Sequence, residues 1–175
     1  GQVLARKRSG EEAAPASLTK MMTVLLATEA LPDLDTPVTL PEDIFPALYK
    51  ADASMAGFQP GETVTVRDLL YGAMLPSGAE CCEALARQVS GSEEAFVERM
   101  NQRAAELGMA DTVFKNACGL PAEGHVTSAY DIALMSRELM LHHPDIRKYT
   151  TVWMDTLRGG ASSLVNTNKL VRFYE

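Results

Sequence analysis

The sequence predicts a single globular domain in which buried helices outweigh short strand-like runs. Of its 175 residues, 46% are hydrophobic and 22% charged, enough apolar material for a real core and too much for a disordered chain. Apolar residues recur at spacings of three and four through successive segments bounded by Pro, Gly or Ser. Two short β-like runs, Val38-Thr39-Leu40 and Glu62-Thr63-Val64-Thr65-Val66, bracket a polar loop and suit a small antiparallel ribbon. No internal repeat, low-complexity tract or linker divides the chain.

Taken in order, Val3-Leu4 reads as the tail of a strand, followed by the turn-like Arg8-Ser9-Gly10. Ser17 to Leu31 is a strong helix: Leu18, Met21, Met22, Leu25 and Leu26 form its buried face, and Pro32 stops it. Prolines at 37, 41, 46 and 60 make the stretch from 36 to 66 irregular. Helical patterning resumes at Val66 to Leu75, breaks at Pro76-Ser77-Gly78 and restarts at Ala79 to Val89. Ser92 can cap a helix running to Leu107, with Glu93 and Glu94 suiting its N-terminal dipole and Gly108 its stop. After a loop at 116–126, Thr127 or Ser128 opens a helix to His142, and Pro144 starts a helical turn to Tyr149. The end, from Thr150 to Glu175, is strand-like and lacks a closing element.

Charge and cysteine usage exclude several functions. With 16 basic and 23 acidic residues the net charge is −7, against the basic patch a nucleic-acid binder needs. The longest apolar stretch, Met21 to Ala27, is far short of the roughly 20 residues that span a bilayer. No signal peptide is visible, although an exported protein has the same appearance after processing. Cys81, Cys82 and Cys118 give no disulfide framework, and no Cys-x-x-Cys occurs. His142 and His143 would point about 100° apart on a helix, poor geometry for sharing a metal. This pattern argues against a zinc site.

Chemistry concentrates in Pro15-Ala16-Ser17-Leu18-Thr19-Lys20-Met21-Met22-Thr23. Ser17 and Lys20, three apart at a helix start, share a face. A serine hydroxyl needs a neighbouring base to become a nucleophile, and a neutral lysine can serve. Burial and the positive end of the helix dipole both disfavour a lysine's charge, while the same dipole favours negative charge developing beside the serine amide. A capping serine followed by a solvent-facing lysine is the alternative. Against it, a capping box wants Glu or Gln where this helix has a cation.

From Gly1 to Thr23 the chain resembles the opening of the serine D-alanyl-D-alanine carboxypeptidases, the low-molecular-mass penicillin-binding proteins. The resemblance continues in order at Gly61-Glu62-Thr63-Val64-Thr65-Val66-Arg67-Asp68-Leu69-Leu70 and Met74-Leu75-Pro76-Ser77-Gly78. It returns at Phe114-Lys115-Asn116-Ala117-Cys118-Gly119-Leu120, His125-Val126-Thr127-Ser128-Ala129-Tyr130-Asp131 and Asn166-Thr167-Asn168-Lys169-Leu170. Carried over, it makes Ser17 the acylated nucleophile, Lys20 the general base and Ser77 a proton-relaying hydroxyl. It implies an α+β fold of the β-lactamase and penicillin-binding-protein type, an antiparallel sheet flanked by helices, here helix-dominated and lacking strands at both ends. The implied reaction removes the terminal D-alanine from peptidoglycan stem pentapeptides through an acyl-enzyme, within cell-wall biosynthesis and cell shape. β-Lactam antibiotics would acylate Ser17, and the implied chemistry requires no metal or organic cofactor. The implied protein is bacterial and exported beyond the cytoplasmic membrane, with any membrane anchor outside this sequence.

Two departures stand out. The family's second motif is Ser-x-Asn, yet position 79 is Ala; Glu80 is adjacent but should point elsewhere. The third motif, Lys-Thr-Gly, is absent and would lie shortly beyond Glu175. Residues 1–175 are therefore read as one incomplete domain, with a catalytically silent scaffold or wall-binding module as the alternative. Elsewhere the expectations are plain. His125 is a surface or loop-bracing residue rather than a catalytic one, Asp131 answers a helix dipole, one or both of Cys81 and Cys82 fill the core, and Cys118 lies in a loop where it could react.

Overall fold

The computed structural model describes residues 2–157 and 162–173. A 3-10 turn, Ala16–Leu18, runs directly into α1 (Thr19–Ala30), the central element of the core. The expected ribbon forms as β1 (Pro37–Thr39) and β2 (Thr63–Thr65), antiparallel with Val38 opposite Val64. Between them lies α2 (Phe45–Lys50). The helices α3 (Val66–Met74), α4 (Ala79–Ser90) and α5 (Glu93–Glu106) then pack around α1. Next come α6 (Ala129–His142) and the short α7 (Ile146–Thr150). A hairpin of β3 (Met154–Leu157) and β4 (Ser162–Val165) follows, and a turn of helix, α8 (Leu170–Phe173), closes the described chain.

Helix starts are written in local chemistry. Thr65 and Asp68 form a reciprocal capping box on α3: the Asp68 amide donates to Thr65 Oγ1 at 3.2 Å and Asp68 Oδ2 accepts from the Thr65 amide at 2.9 Å. Ser92 and Ser128 each accept the amide three residues on, which fixes the starts of α5 and α6. Gly91 ends α4 in the left-handed region, at φ 81°.

Three expectations are corrected. Val3 and Leu4 form no strand; both are exposed, and this end is tied to the 127–130 segment by an isolated bridge between Ala13 and Thr127 and by the Tyr130 amide donating to the Ser9 carbonyl at 2.8 Å. The α1 region does not bury one face. Thr19, Thr23, Val24 and Ala27 are as buried as Met22 and Leu25, while Leu18 is exposed, because α3, α4, α5 and α6 surround the helix. The C-terminal stretch is not all strand, since Asn168 Oδ1 accepts the Leu170 amide at 3.1 Å and starts a helical turn.

Between α4 and α5 a buried acid, Glu83, meets a half-buried one, Glu93. Glu83 lies against Glu93 and the Cys118 thiol, and Glu93 Oε1 accepts the Ala117 amide at 3.0 Å. Burial first, and then the Glu93 charge, push the Glu83 carboxyl from 4.5 up to about 9. The folded chain thus holds a proton that the unfolded chain releases. Stability from this group is full below pH 4.5 and falls as pH rises towards 9. Glu83→Gln removes the dependence, and its melting temperature should exceed the parent's by about 5 °C at neutral pH. Thermal melts across this range check it: the gap should close on acidification to pH 4.5.

Candidate active site

Ser17 stands on the 3-10 turn rather than in the α-helix proper. In that geometry residues three apart eclipse one another, so Lys20 stacks beneath Ser17 with Nζ 3.3 Å from Oγ. Ser17 is exposed and Lys20 is buried. A buried amine needs partners, and the Cys118 carbonyl supplies one, accepting from Lys20 Nζ at 2.6 Å. The same loop is fastened along α1 on either side of this contact. Thr23 Oγ1 donates to the Ala117 carbonyl at 2.6 Å, and Thr19 Oγ1 lies 3.1 Å from His125 Nε2. Asn116 folds the loop back by accepting the Gly119 and Leu120 amides at 2.7 and 3.1 Å.

Ser77 arrives from the turn between α3 and α4, 60 residues from Ser17, and its Oγ donates to Ser17 Oγ at 3.0 Å. It holds φ at +66°, a conformation that costs a non-glycine residue of order 1 kcal/mol and gathers at functional sites. The turn is pinned on both sides: the Gly78 amide donates to the Gly72 carbonyl and the Ala79 amide to the Ser54 carbonyl, each at 2.8 Å.

The serine pair opens into a cleft of about 730 Å³ walled by the Ala14–Met21 segment, the end of α3 with Ser77, and Asn166, Thr167 and Asn168. Asn166 Nδ2 spans the Thr150 and Val152 carbonyls at 3.1 and 3.0 Å, and the Thr167 amide donates to the Leu75 carbonyl at 3.1 Å. Across Ser17 and Lys20 a smaller recess of about 240 Å³ reaches Ala79, residues 51–54 and Gly119.

Comparison with known proteins decides the family. The model of peptidase family S11, D-alanyl-D-alanine carboxypeptidase, matches residues 1–175. The chain belongs to this family. It is 44% identical to the D-alanyl-D-alanine carboxypeptidase DacF of Bacillus subtilis over 99% of its own length and 45% of that protein's. With DacC of Escherichia coli it shares 38% identity over 83% of its length and 38% of the relative's. The structure superposes on penicillin binding protein 6B from Escherichia coli with TM-score 0.88 at 33% identity, covering 98% of this chain and 55% of that one. The chain spans about half the length of these relatives, and its fold is the penicillin-binding-protein, β-lactamase-like one.

The S11 chain thus brings Ser17, Lys20 and Ser77 together at one cleft. Sequence reasoning missed the contribution of backbone: the Cys118 carbonyl that holds Lys20 and the close approach of Gly119 to the Ala16–Ser17 turn. Ala79 is buried beside the recess, where its methyl group offers Lys20 no hydrogen bond. Glu80 does point away from the cleft, onto the amides of 56–58. Burial pushes the Cys118 thiol up to about 12, which makes it unreactive, and Cys81 and Cys82 are core residues whose thiols burial also raises. His125 braces the loop, and its burial lowers the imidazole's affinity for a second proton. Asp131 does more than answer a dipole. Its Oδ2 accepts the Asp111 amide at 2.8 Å and the Thr112 hydroxyl at 2.7 Å, tying α6 to the preceding loop.

Away from the cleft, Glu29, Glu138 and His143 are close enough to converge on one cation. Arg103 supplies that charge from within, with Nη2 2.8 Å from both Glu29 Oε1 and Glu138 Oε1. Among the described residues no helix is long and apolar enough to cross a membrane.

Proposed function

We propose that the protein carrying this chain is a serine D-alanyl-D-alanine carboxypeptidase that removes the terminal D-alanine from peptidoglycan stem pentapeptides. The observation that carries this is the position of Ser17 Oγ, 3.3 Å from Lys20 Nζ and 3.0 Å from Ser77 Oγ at the mouth of the cleft. Ser17 Oγ attacks the carbonyl carbon between the last two D-alanines and passes its proton to Lys20 Nζ, the general base. The helix start beneath Ser17 favours the oxyanion that develops beside the serine amide. As the carbon–nitrogen bond breaks, the proton returns through Lys20 and Ser77 to the leaving amine, and D-alanine departs. Water then attacks the Ser17 ester, with Lys20 accepting its proton, and frees the shortened peptide. A β-lactam presents an acyl group to the same oxygen and stalls at the ester.

We further propose that residues 1–175 form part of one catalytic domain, whose Lys-Thr-Gly wall is supplied by the rest of the protein. Its place of work is outside the bacterial cytoplasmic membrane, with any anchor elsewhere in the protein. The relatives named above, D-alanyl-D-alanine carboxypeptidases of bacteria, support this reading.

The test is adduct mapping on the full-length protein. After incubation with a fluorescent penicillin, the tryptic peptide containing Ser17 should carry the label, and a pentapeptide substrate should yield free D-alanine. A label confined to another residue removes Ser17 from the mechanism. Binding of muropeptide without D-alanine release supports a silent scaffold instead.

A further inference from the structure

Glu80 lies on the first turn of α4, completely buried, although a carboxylate in that position is costly to desolvate. Its Oε1 is the acceptor for three successive backbone amides, Ala56 at 2.7 Å, Gly57 at 2.9 Å and Phe58 at 3.4 Å. Its Oε2 is equally buried and has no hydrogen-bond partner among the described residues. Burial raises the pKa of this carboxyl, and its own backbone amide and those of Ala56, Gly57 and Phe58 work against that rise. One side chain thus gathers a loop that has no regular secondary structure of its own.

That loop lies against the serine turn. A Cβ on Gly78 would come within 2.7 Å of the Ala56 side chain and 3.0 Å of the Ala56 amide, so Ala56 is seated directly on the residue after Ser77. Two residues earlier, the Ser54 carbonyl accepts the Ala79 amide at 2.8 Å. Phe58, also fully buried, packs on Gly72, whose carbonyl holds the Gly78 amide at 2.8 Å. Ser77 itself sits at φ +66° and reaches Ser17 Oγ at 3.0 Å. A conformation this sparsely populated persists only where its surroundings fix it.

We propose that Glu80 is a positioning residue for acylation: by collecting the amides of 56–58 it presses the loop onto Gly78 and Ala79 and so holds Ser77 Oγ on Ser17 Oγ. This deepens the carboxypeptidase reading and rests on it. Glu80 touches no reacting atom. It acts through the acceptor oxygen rather than its charge, because a single oxygen takes all three amides while the other has no partner among the described residues.

The rate at which a fluorescent penicillin acylates the full-length protein, measured against concentration, tests this. Glu80→Met keeps the length of the side chain and removes the acceptor. Its saturating acylation rate should fall about 10- to 100-fold, as misplacement of a reacting group does, with the half-saturating concentration unchanged. Glu80→Gln keeps an acceptor oxygen without the charge and should restore the rate to within about threefold of the parent. Glu80→Asp, which withdraws the oxygen by about 1.5 Å, should fall between them and serves if the Met variant does not fold. A folded Met or Asp variant that acylates at the parent rate overturns the proposal, as does a Gln variant no faster than Met. Hydrogen exchange separates this failure from failure of the enzyme reading. If the parent protein is not labelled at all, the carboxypeptidase reading falls, and the clamp is decided by the amides of Ala56 and Gly57. Protection in the parent that is lost in Glu80→Asp sustains it; unprotected amides in the parent refute it.

Discussion

Replacing Lys20 by Ala should slow acylation of Ser17 about 10³-fold, the scale of a lost general base. Nζ is the basic group nearest Ser17 Oγ among the described residues, at 3.3 Å, and the Cys118 carbonyl holds it there at 2.6 Å. The Ala variant alone is ambiguous, because it also empties buried space and strands that carbonyl. Lys20→Arg resolves the ambiguity. A guanidinium keeps the positive charge but does not give up its proton in a protein, so it can attract an oxyanion and cannot accept the serine proton. If Lys20 is the base, Lys20→Arg is as slow as Lys20→Ala; if the amine acts only as a cation, the Arg variant stays within about tenfold of the parent. Saturating acylation rates with a fluorescent penicillin distinguish the two. Ser77→Ala should be milder than either, since Lys20 remains beside the nucleophile when the relay hydroxyl is gone.

The sequence makes local features of this molecule legible and leaves the long-range ones hidden. Ser17 and Lys20 are readable as a pair because one helical turn separates them, and Ser92 and Ser128 announce their helices by a capping interaction three residues long. The β1–β2 ribbon is readable from two β-rich runs around a Pro-rich loop. Nothing local joins Ser77 to Ser17 across 60 residues; that link came from motif order in a resembling family. Apolar periodicity also misjudged α1. Thr19 and Thr23 lie off the apolar stripe, yet both are fully buried, because the loop at 116–125 pairs with their hydroxyls. Least legible are contacts made by backbone alone, for a carbonyl oxygen carries no residue-type signature. The Cys118 carbonyl on Lys20 is one, and the turn at Gly119 is another.

Gly119→Ala should be among the most damaging single changes in the protein. A Cβ at this position would lie 1.9 Å from the Ala16 carbonyl oxygen, 2.5 Å from its carbon and 3.1 Å from the Ser17 amide nitrogen. All three are backbone atoms of the turn that carries the nucleophile, so no side chain can swing aside. The glycine also holds φ at +87°, which adds a conformational cost of about 1 kcal/mol to any replacement. Gly91 separates the two contributions. It has φ at +81° with nothing among the described residues within 4 Å of its would-be Cβ, so Gly91→Ala meets the conformational cost alone. That variant should melt about 3 °C below the parent and acylate at the parent rate. Gly119→Ala should melt about 10 °C lower and acylate at least about 100-fold more slowly, even well below its melting temperature. The excess over Gly91→Ala measures the steric part. The loop cannot retreat to relieve the clash without moving Cys118, whose carbonyl holds Nζ, so the displacement reaches Lys20 as well as Ser17. A folded Gly119→Ala that acylates at the parent rate would show that the turn bearing Ser17 tolerates movement, and the close approach of these two backbones would then be packing without catalytic consequence.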